Sequence, residues 1–256
     1  MPVLTDLLTA LSAGSVRVVD LTAPLSDATP LLELPEQFGQ TAQFQLEEIS
    51  RYDDRGPGWY WNNFRTGEHT GTHFDAPSHW VTGKELPDVD AVPVGAFVAP
   101  AVVLDVTDRV ADDPNFLIEV ADVEAFAAEH GPLPDGGWLL CRTGWSSRAT
   151  QEEMINNTET GPTSPGLSAE CARWVAEESP LQGIGVETVG TDAGSAHSFD
   201  PAFPCHAHLL GNGKYGLAQL QNLDQLPPTG AVVLAAPLKI VGGSGSPVRV
   251  LALVED

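Results

Sequence analysis

His69-Thr-Gly71-Thr-His73-Phe-Asp75-Ala-Pro77-Ser-His79 decides the reading of this chain, because it gathers three of the seven histidines and an aspartate around a glycine and a proline. Neutral imidazole and carboxylate are the ligands that divalent zinc and manganese take. The stretch makes a poor helix: Gly71, Pro77 and two threonines disfavour it, and Asp75 would leave the face shared by His69 and His73. On a strand the odd-numbered side chains share one side, but a straight strand separates His69 from His73 by roughly 13 Å at about 3.3 Å per residue. The chain is therefore predicted to turn at Gly71, where backbone freedom is greatest, and to run into a short strand carrying His73 and Asp75. His69, His73 and Asp75 are the candidate metal ligands. His79, past Pro77, is the candidate for moving protons, the usual task of a histidine that titrates near neutrality. The competing reading is a His-rich surface loop with His79 packed beside Trp80; the absence of Lys and Arg from 69 to 79 counts against it.

Large aromatics flank the motif. Trp59-Tyr60-Trp61 precedes it and Trp80 follows it, so Trp59, Trp61 and Trp80 are candidate pocket walls for a flat substrate. Core or interface packing is the alternative for each. A second polar cluster, His197 to His208, falls in an irregular stretch between strands, where chemistry often resides. His206 and His208 share a side if the segment is extended and diverge by about 200° if it is helical. His206-Ala-His-Leu-Leu-Gly favours a helical turn, with one histidine functional and the other exposed. Asp192 is either a polar group of the site or a turn cap.

Composition narrows the class. The chain has 256 residues, 42% of them hydrophobic, enough for a sizeable core, and no apolar run long enough to cross a bilayer. The N-terminal residues lack the basic region and apolar core of a secretory signal, so a cytoplasmic location is expected. Three widely spaced cysteines offer neither a disulfide framework nor a CxxC clip. Cys205 beside His206 has a reactive-thiol reading, set against burial as a small apolar residue. A net charge of −23 repels phosphate backbones and anionic membranes, so neither nucleic acid nor membrane is expected as a partner.

Leu4, Leu7, Leu8 and Leu11 predict an amphipathic helix over residues 1–13. Strands are predicted at 16–21, 44–49, 100–106, 137–142, 184–189, 231–236 and 248–254, a turn at 53–58, and helices at 118–129 and 168–178, the last capped by Ser168. Strands and helices interleave, which gives an α/β class with mixed sheets; no linker divides the chain, so residues 1–256 are read as a single domain.

The pattern HxGTHxDxPxH at 69–79 resembles the signature of the metal-dependent cyclase family of hydrolases, which includes bacterial kynurenine formamidase and isatin hydrolase. Arg142-Thr-Gly-Trp145, Gly161 to Gly166, Asn222 to Pro227, Pro237-Leu-Lys-Ile and Gly243 to Arg249 extend the likeness over nearly the whole chain. The resemblance implies a swivelling β/β/α fold and a homodimer or higher homo-oligomer whose neighbouring subunits help shape the pocket. It also implies hydrolysis of an amide, with His69, His73 and Asp75 on the metal, His79 in acid–base work, and His206 preferred to His208 at the site. Members of the kynurenine formamidase type hold two zinc ions with a glutamate where Ala218 stands here. Alanine ligates nothing, so the implied cofactor is one divalent ion per subunit, Mn2+ or alternatively Zn2+. The implied reaction is opening of an isatin-like lactam to isatinate, with His206 at the substrate or its water network. The alternatives are an arylformamidase acting on N-formylkynurenine and a catalytically silent metal-binding protein.

Overall fold

The computed structural model describes residues 2–159 and 161–255. Helix α1 (Val3–Ala13) leads into strand β1 (Val16–Asp20), a proline-rich loop, and a hairpin of β2 (Gln45–Asp53) and β3 (Gly56–Arg65). Strands β4 (His73–Asp75) and β5 (Val98–Asp105) follow, then helix α2 (Val120–His130), β6 (Trp138–Arg142), helix α3 (Ala169–Glu177) and β7 (Gly183–Val186). The chain finishes through β8 (Tyr215–Ala218), β9 (Ala231–Ala235), β10 (Gly245–Pro247) and β11 (Val250–Glu255). The expected α/β class with a mixed sheet is what the chain forms. Nine of these strands make one sheet in the order β1-β11-β9-β5-β6-β7-β8-β4-β10, parallel from β5 to β8 and antiparallel on either side.

The two kinds of pairing leave different marks on the sequence. In the parallel centre both faces are covered, so β6 and β7 are unbroken apolar runs, whereas β9 and β11 alternate buried and half-buried residues. Alternation in the centre sorts side chains between two cores. Ala101, Val103, Trp138, Leu140 and Leu217 join the face shared with β9 and β11. Val102, Leu104, Leu139, Cys141 and Ala218 join the face covered by α2 and α3. Both helices are fixed at their N-termini: Glu119 and Asp122 form a capping box on α2, and the Ser168 hydroxyl accepts from the Cys171 N–H on α3.

Two expectations need amendment. Residues 3–13 do form a helix, yet none of its residues is buried: Leu4 and Leu8 are exposed, and Leu7 and Leu11 are only half-buried. The strand expected over 184–189 ends at Val186, because its pairing to β6 stops at Cys141 and the next residue turns inward. There the buried Glu187 carboxylate accepts from the Thr143 N–H and hydroxyl, the Trp145 N–H and the Ser146 hydroxyl. Four donors satisfy this buried anion, whose removal would strand them.

Candidate active site

Strand β4 is only three residues long, and its pleat divides the labour. Phe74 enters the core against Phe97, Trp138 and Tyr215, while His73 and Asp75 face the other side. The predicted bend lies at Gly71, whose φ of +69° is the left-handed conformation that glycine adopts without a Cβ penalty. It returns His69 over the strand, bringing its Nδ1 to 2.7 Å from Asp75 Oδ1. His73 Nε2 lies 3.4 Å from the same oxygen. Both strands beside β4 place a glycine opposite Asp75, Gly216 on β8 and Gly245 on β10. A Cβ on Gly216 would stand 2.8 Å from Asp75 Oδ2, and one on Gly245 would stand 2.5 Å from the His69 ring. Side chains are excluded on both flanks so that the carboxylate and the imidazole fit.

Hydrogen-bond directions define what these rings offer inward. Ser244 has one hydroxyl proton, and it is given to Glu68 Oε2 at 2.7 Å, since a carboxylate only accepts. His69 Nε2, 2.9 Å from that hydroxyl oxygen, must then be an N–H donor, and Nδ1 is the nitrogen turned to Asp75. His73 Nδ1 similarly donates to the Gly71 carbonyl at 2.7 Å, so its Nε2 lone pair also faces Asp75. Two imidazole nitrogens and a carboxylate oxygen therefore converge, and the His69–Asp75 contact is a hydrogen bond while Nδ1 carries a proton and a repulsion once it is bare unless a cation lies between. Burial opposes charge on Asp75, but attraction to His73 and His69 in their protonated forms, with the hydrogen bond from His69, outweighs it and holds the carboxyl far below the ordinary range. Desolvation in turn keeps His73 below its ordinary value despite Asp75, so it stays neutral. An anionic oxygen and neutral nitrogens are a donor set that fits a divalent metal ion.

His79 follows a short turn, Pro77–His79, and stacks on the His69 ring with centroids 3.8 Å apart. Its own donor atom falls within 4.8 Å of those of His69 and Asp75. Burial, opposed by Asp75 and reinforced by the neighbouring histidines, lowers its pKa to about 3. Among the described residues no hydrogen bond restrains this ring, but its pKa lies well below the near-neutral value expected of a proton carrier, because burial disfavours the charged form.

The opposite wall is a π-helix, Cys205–Leu210. It turns His206 toward His79 and Trp80, with ring centroids at 5.4 and 4.9 Å, and leaves His208 outside the cluster. Asp192 takes the His206 Nδ1–H at 2.5 Å together with the Cys205 and His206 backbone N–H groups, so it is both cap and ring partner. Burial alone would lower the His206 pKa, but the bond and charge of Asp192 raise it. Cys205 is buried and its thiol is pushed well up, by desolvation first and Asp192 second, which removes the nucleophile reading. Phe203 meets Trp80 at 5.7 Å and extends the aromatic wall; nothing in its sequence context pointed there.

The two halves of the site are seamed together. Thr82 Oγ1 donates to the Ala207 carbonyl at 2.7 Å. Gly83 lies so close to the neighbouring backbone that a Cβ would meet the Pro77 carbonyl oxygen at 2.1 Å and that of Leu210 at 2.8 Å.

Trp59 and Trp61 are elsewhere. They sit on β3 of the hairpin, 50% and 54% exposed, with their rings 6.4 Å from each other and in no ring contact with a histidine. Sequence reasoning also passed over Ser244, Glu68, Gly216 and Gly245 as parts of the site. The acid next to His69 was a visible signal for Glu68; the others lie far away in sequence.

A chain with this mixed sheet and this His/Asp cluster falls in a defined class. The family model described as "Putative cyclase" matches residues 19–193, which include the whole of 69–79. The chain belongs to the cyclase family. It is 44% identical over 248 residues to isatin hydrolase of Roseibium aggregatum, covering 95% of this chain and 94% of the relative. The solved structure of isatin hydrolase A from Ralstonia solanacearum superposes with a TM-score of 0.97 at 50% identity, covering 100% of this chain and 98% of that one. Kynurenine formamidase of Salinibacter ruber is 32% identical over 237 residues, covering 91% of this chain and 96% of the relative.

Proposed function

We propose that this chain is a metal-dependent amidohydrolase that opens an isatin-like lactam to the amino-aryl keto acid. The observation that carries the reading is the convergence of two imidazole nitrogens on the buried Asp75 oxygen. His69, His73 and Asp75 would hold one divalent ion, manganese by likeness to the single-ion pattern, with zinc accepted by the same donors. A bound ion supplies Lewis acidity, polarising the amide carbonyl and easing proton loss from water. His79, neutral and unrestrained, takes the proton of the attacking water and returns it to the ring nitrogen as the C–N bond breaks. His206, as the imidazolium that Asp192 favours, donates from Nε2 to the oxygen on which negative charge develops. Trp80 stacks against the ring of the substrate.

Ala218 supports a single ion: it is buried, pairs with His73 across the strands, and packs its methyl in the core that holds Cys205 and Leu209. The exposed tryptophans support a homodimer or larger assembly, in which Trp59 and Trp61 reach the pocket of a neighbouring subunit. We read residues 1–256 as one catalytic domain acting in the cytoplasm; among the described residues no helix is long and apolar enough to cross a membrane. Elemental analysis of the purified protein, followed by parallel assays of isatin and N-formylkynurenine, tests the reading. One ion per chain with isatin turnover is expected. Faster turnover of N-formylkynurenine would favour an arylformamidase, the reading that the 32% relative supports. Full activity without metal would refute both.

A further inference from the structure

We infer that Ser244 and Glu68 form a relay that selects which nitrogen of His69 is offered to the metal, and that metal affinity depends on it. The inference rests on the metal reading above but concerns residues that reading does not use. A neutral imidazole carries one proton on either of two nitrogens, and only the bare one ligates. Nothing in the ring itself favours Nδ1 as the ligating atom, so the choice comes from the partner of Nε2.

That partner is Ser244, which either donates or accepts, and its direction is fixed by Glu68. Glu68 Oε2 accepts from both the Ser244 hydroxyl at 2.7 Å and the Ser244 backbone N–H at 3.1 Å. The pair of bonds commits the hydroxyl proton to Glu68 and turns the oxygen lone pair to His69 Nε2, 2.9 Å away. The serine cannot move off this position. Its carbonyl accepts from the Ala76 N–H, one residue after Asp75, and Gly245 beyond it packs against the His69 ring. The relay is therefore built into the β4–β10 edge, and Glu68 and Ser244 are positioning residues acting through His69.

Glutamine at 68 can present its amide oxygen at the Oε2 position and keep both bonds, whereas alanine cannot. Glu68→Gln is accordingly expected to preserve the relay, while Glu68→Ala and Ser244→Ala break it. The experiment is calorimetric titration of chelator-stripped protein with Mn2+ and with Zn2+, alongside nitrogen NMR of the metal-free protein to read the His69 tautomer. Losing an outer partner of a metal-ligating histidine costs about 10- to 100-fold in affinity. Glu68→Ala and Ser244→Ala should each weaken binding by that order, the double variant no more than either alone, and Glu68→Gln within about threefold of wild type. The wild-type His69 proton should sit on Nε2. Wild-type affinity in both alanine variants, additive losses in the double variant, or an Nδ1 proton in the wild type would each overturn the relay. If the wild type binds no metal, the metal reading fails, while the tautomer measurement still decides the relay on its own.

Discussion

The hairpin of β2 and β3 ends at Arg65 and the His/Asp segment begins at His69, yet the two regions live in opposite surroundings. In the segment, His73 and Asp75 are almost wholly buried, and His69 and His73 each have an outer nitrogen bonded to a named acceptor. On the hairpin, Leu46, Tyr52, Trp59, Tyr60, Trp61 and Phe64 all face outward, and the rings mostly meet one another. Its ion pairs, Arg51 with Glu48 and Arg55 with Glu48 and Asp53, are exposed, a class that contributes only about 0–1 kcal/mol. Nearness in sequence thus misleads here: the same 22-residue window, 59–80, holds a buried polar cluster and an exposed apolar surface. The hairpin is an exposed apolar surface, the kind that the proposed assembly would cover.

That contrast can be broken most forcefully at its buried end. Asp75→Ala or His73→Ala should abolish metal retention and reduce turnover to background, read by elemental analysis and assay of the same sample. Next in size, His79→Ala should keep the metal and lose about 10²- to 10⁴-fold in kcat, the range of general acid–base catalysis. Retention of metal in the first pair, or its loss in the last, would redraw the ligand set around His79.

A third effect concerns stability. His79 has a folded pKa of about 3, whereas an unfolded histidine takes its proton near 6.5. The unfolded chain therefore binds a proton that the native state refuses, and stability falls as pH drops below about 6.5, levelling off below about 3. His73 acts in the same direction; His206, with its raised pKa, acts in the opposite one, adding stability below 6.5 that is lost as pH rises through its folded value. Urea denaturation of metal-free protein should show His79→Asn sparing on the order of a few kcal/mol of the acid loss between pH 7 and 4. An unchanged pH profile in that variant would mean that the ring is solvated. The smallest effect separates the tryptophans. Trp80→Ala should raise KM by roughly two- to tenfold at any protein concentration, from about 0.5–1.5 kcal/mol of ring contact. Trp59→Ala or Trp61→Ala should instead make activity fall on dilution, as subunits part.

The sequence announced what depends on short-range chemistry. Gly71 had to turn, because His69 and His73 could not otherwise converge, and it does. His206 and His208 had to diverge once Cys205–Leu210 became helical, and they do. The interleaved strands and helices gave the mixed α/β sheet in advance. What stayed hidden depends on register between distant strands. Ser244 reaches His69 across 175 residues, and Gly216 and Gly245 matter only because both fall opposite Asp75. A missing side chain carries no chemical signal of its own. The α1 leucines illustrate the converse: periodicity foretold a helix, but whether the stripe is covered depends on what lies beside it.

The close approach of Gly83 to the carbonyls of Pro77 and Leu210 packs the stretch bearing His79 directly against the stretch bearing His206, though 126 residues of chain run between the two rings. One methyl group added at position 83 would act as a wedge, prying His79 from His206, the proton carrier and oxyanion donor proposed above, while every side chain of the site stayed chemically intact. Activity at this centre is in that sense a property of spacing, and the chain guards the spacing at a residue that takes no part in any reaction.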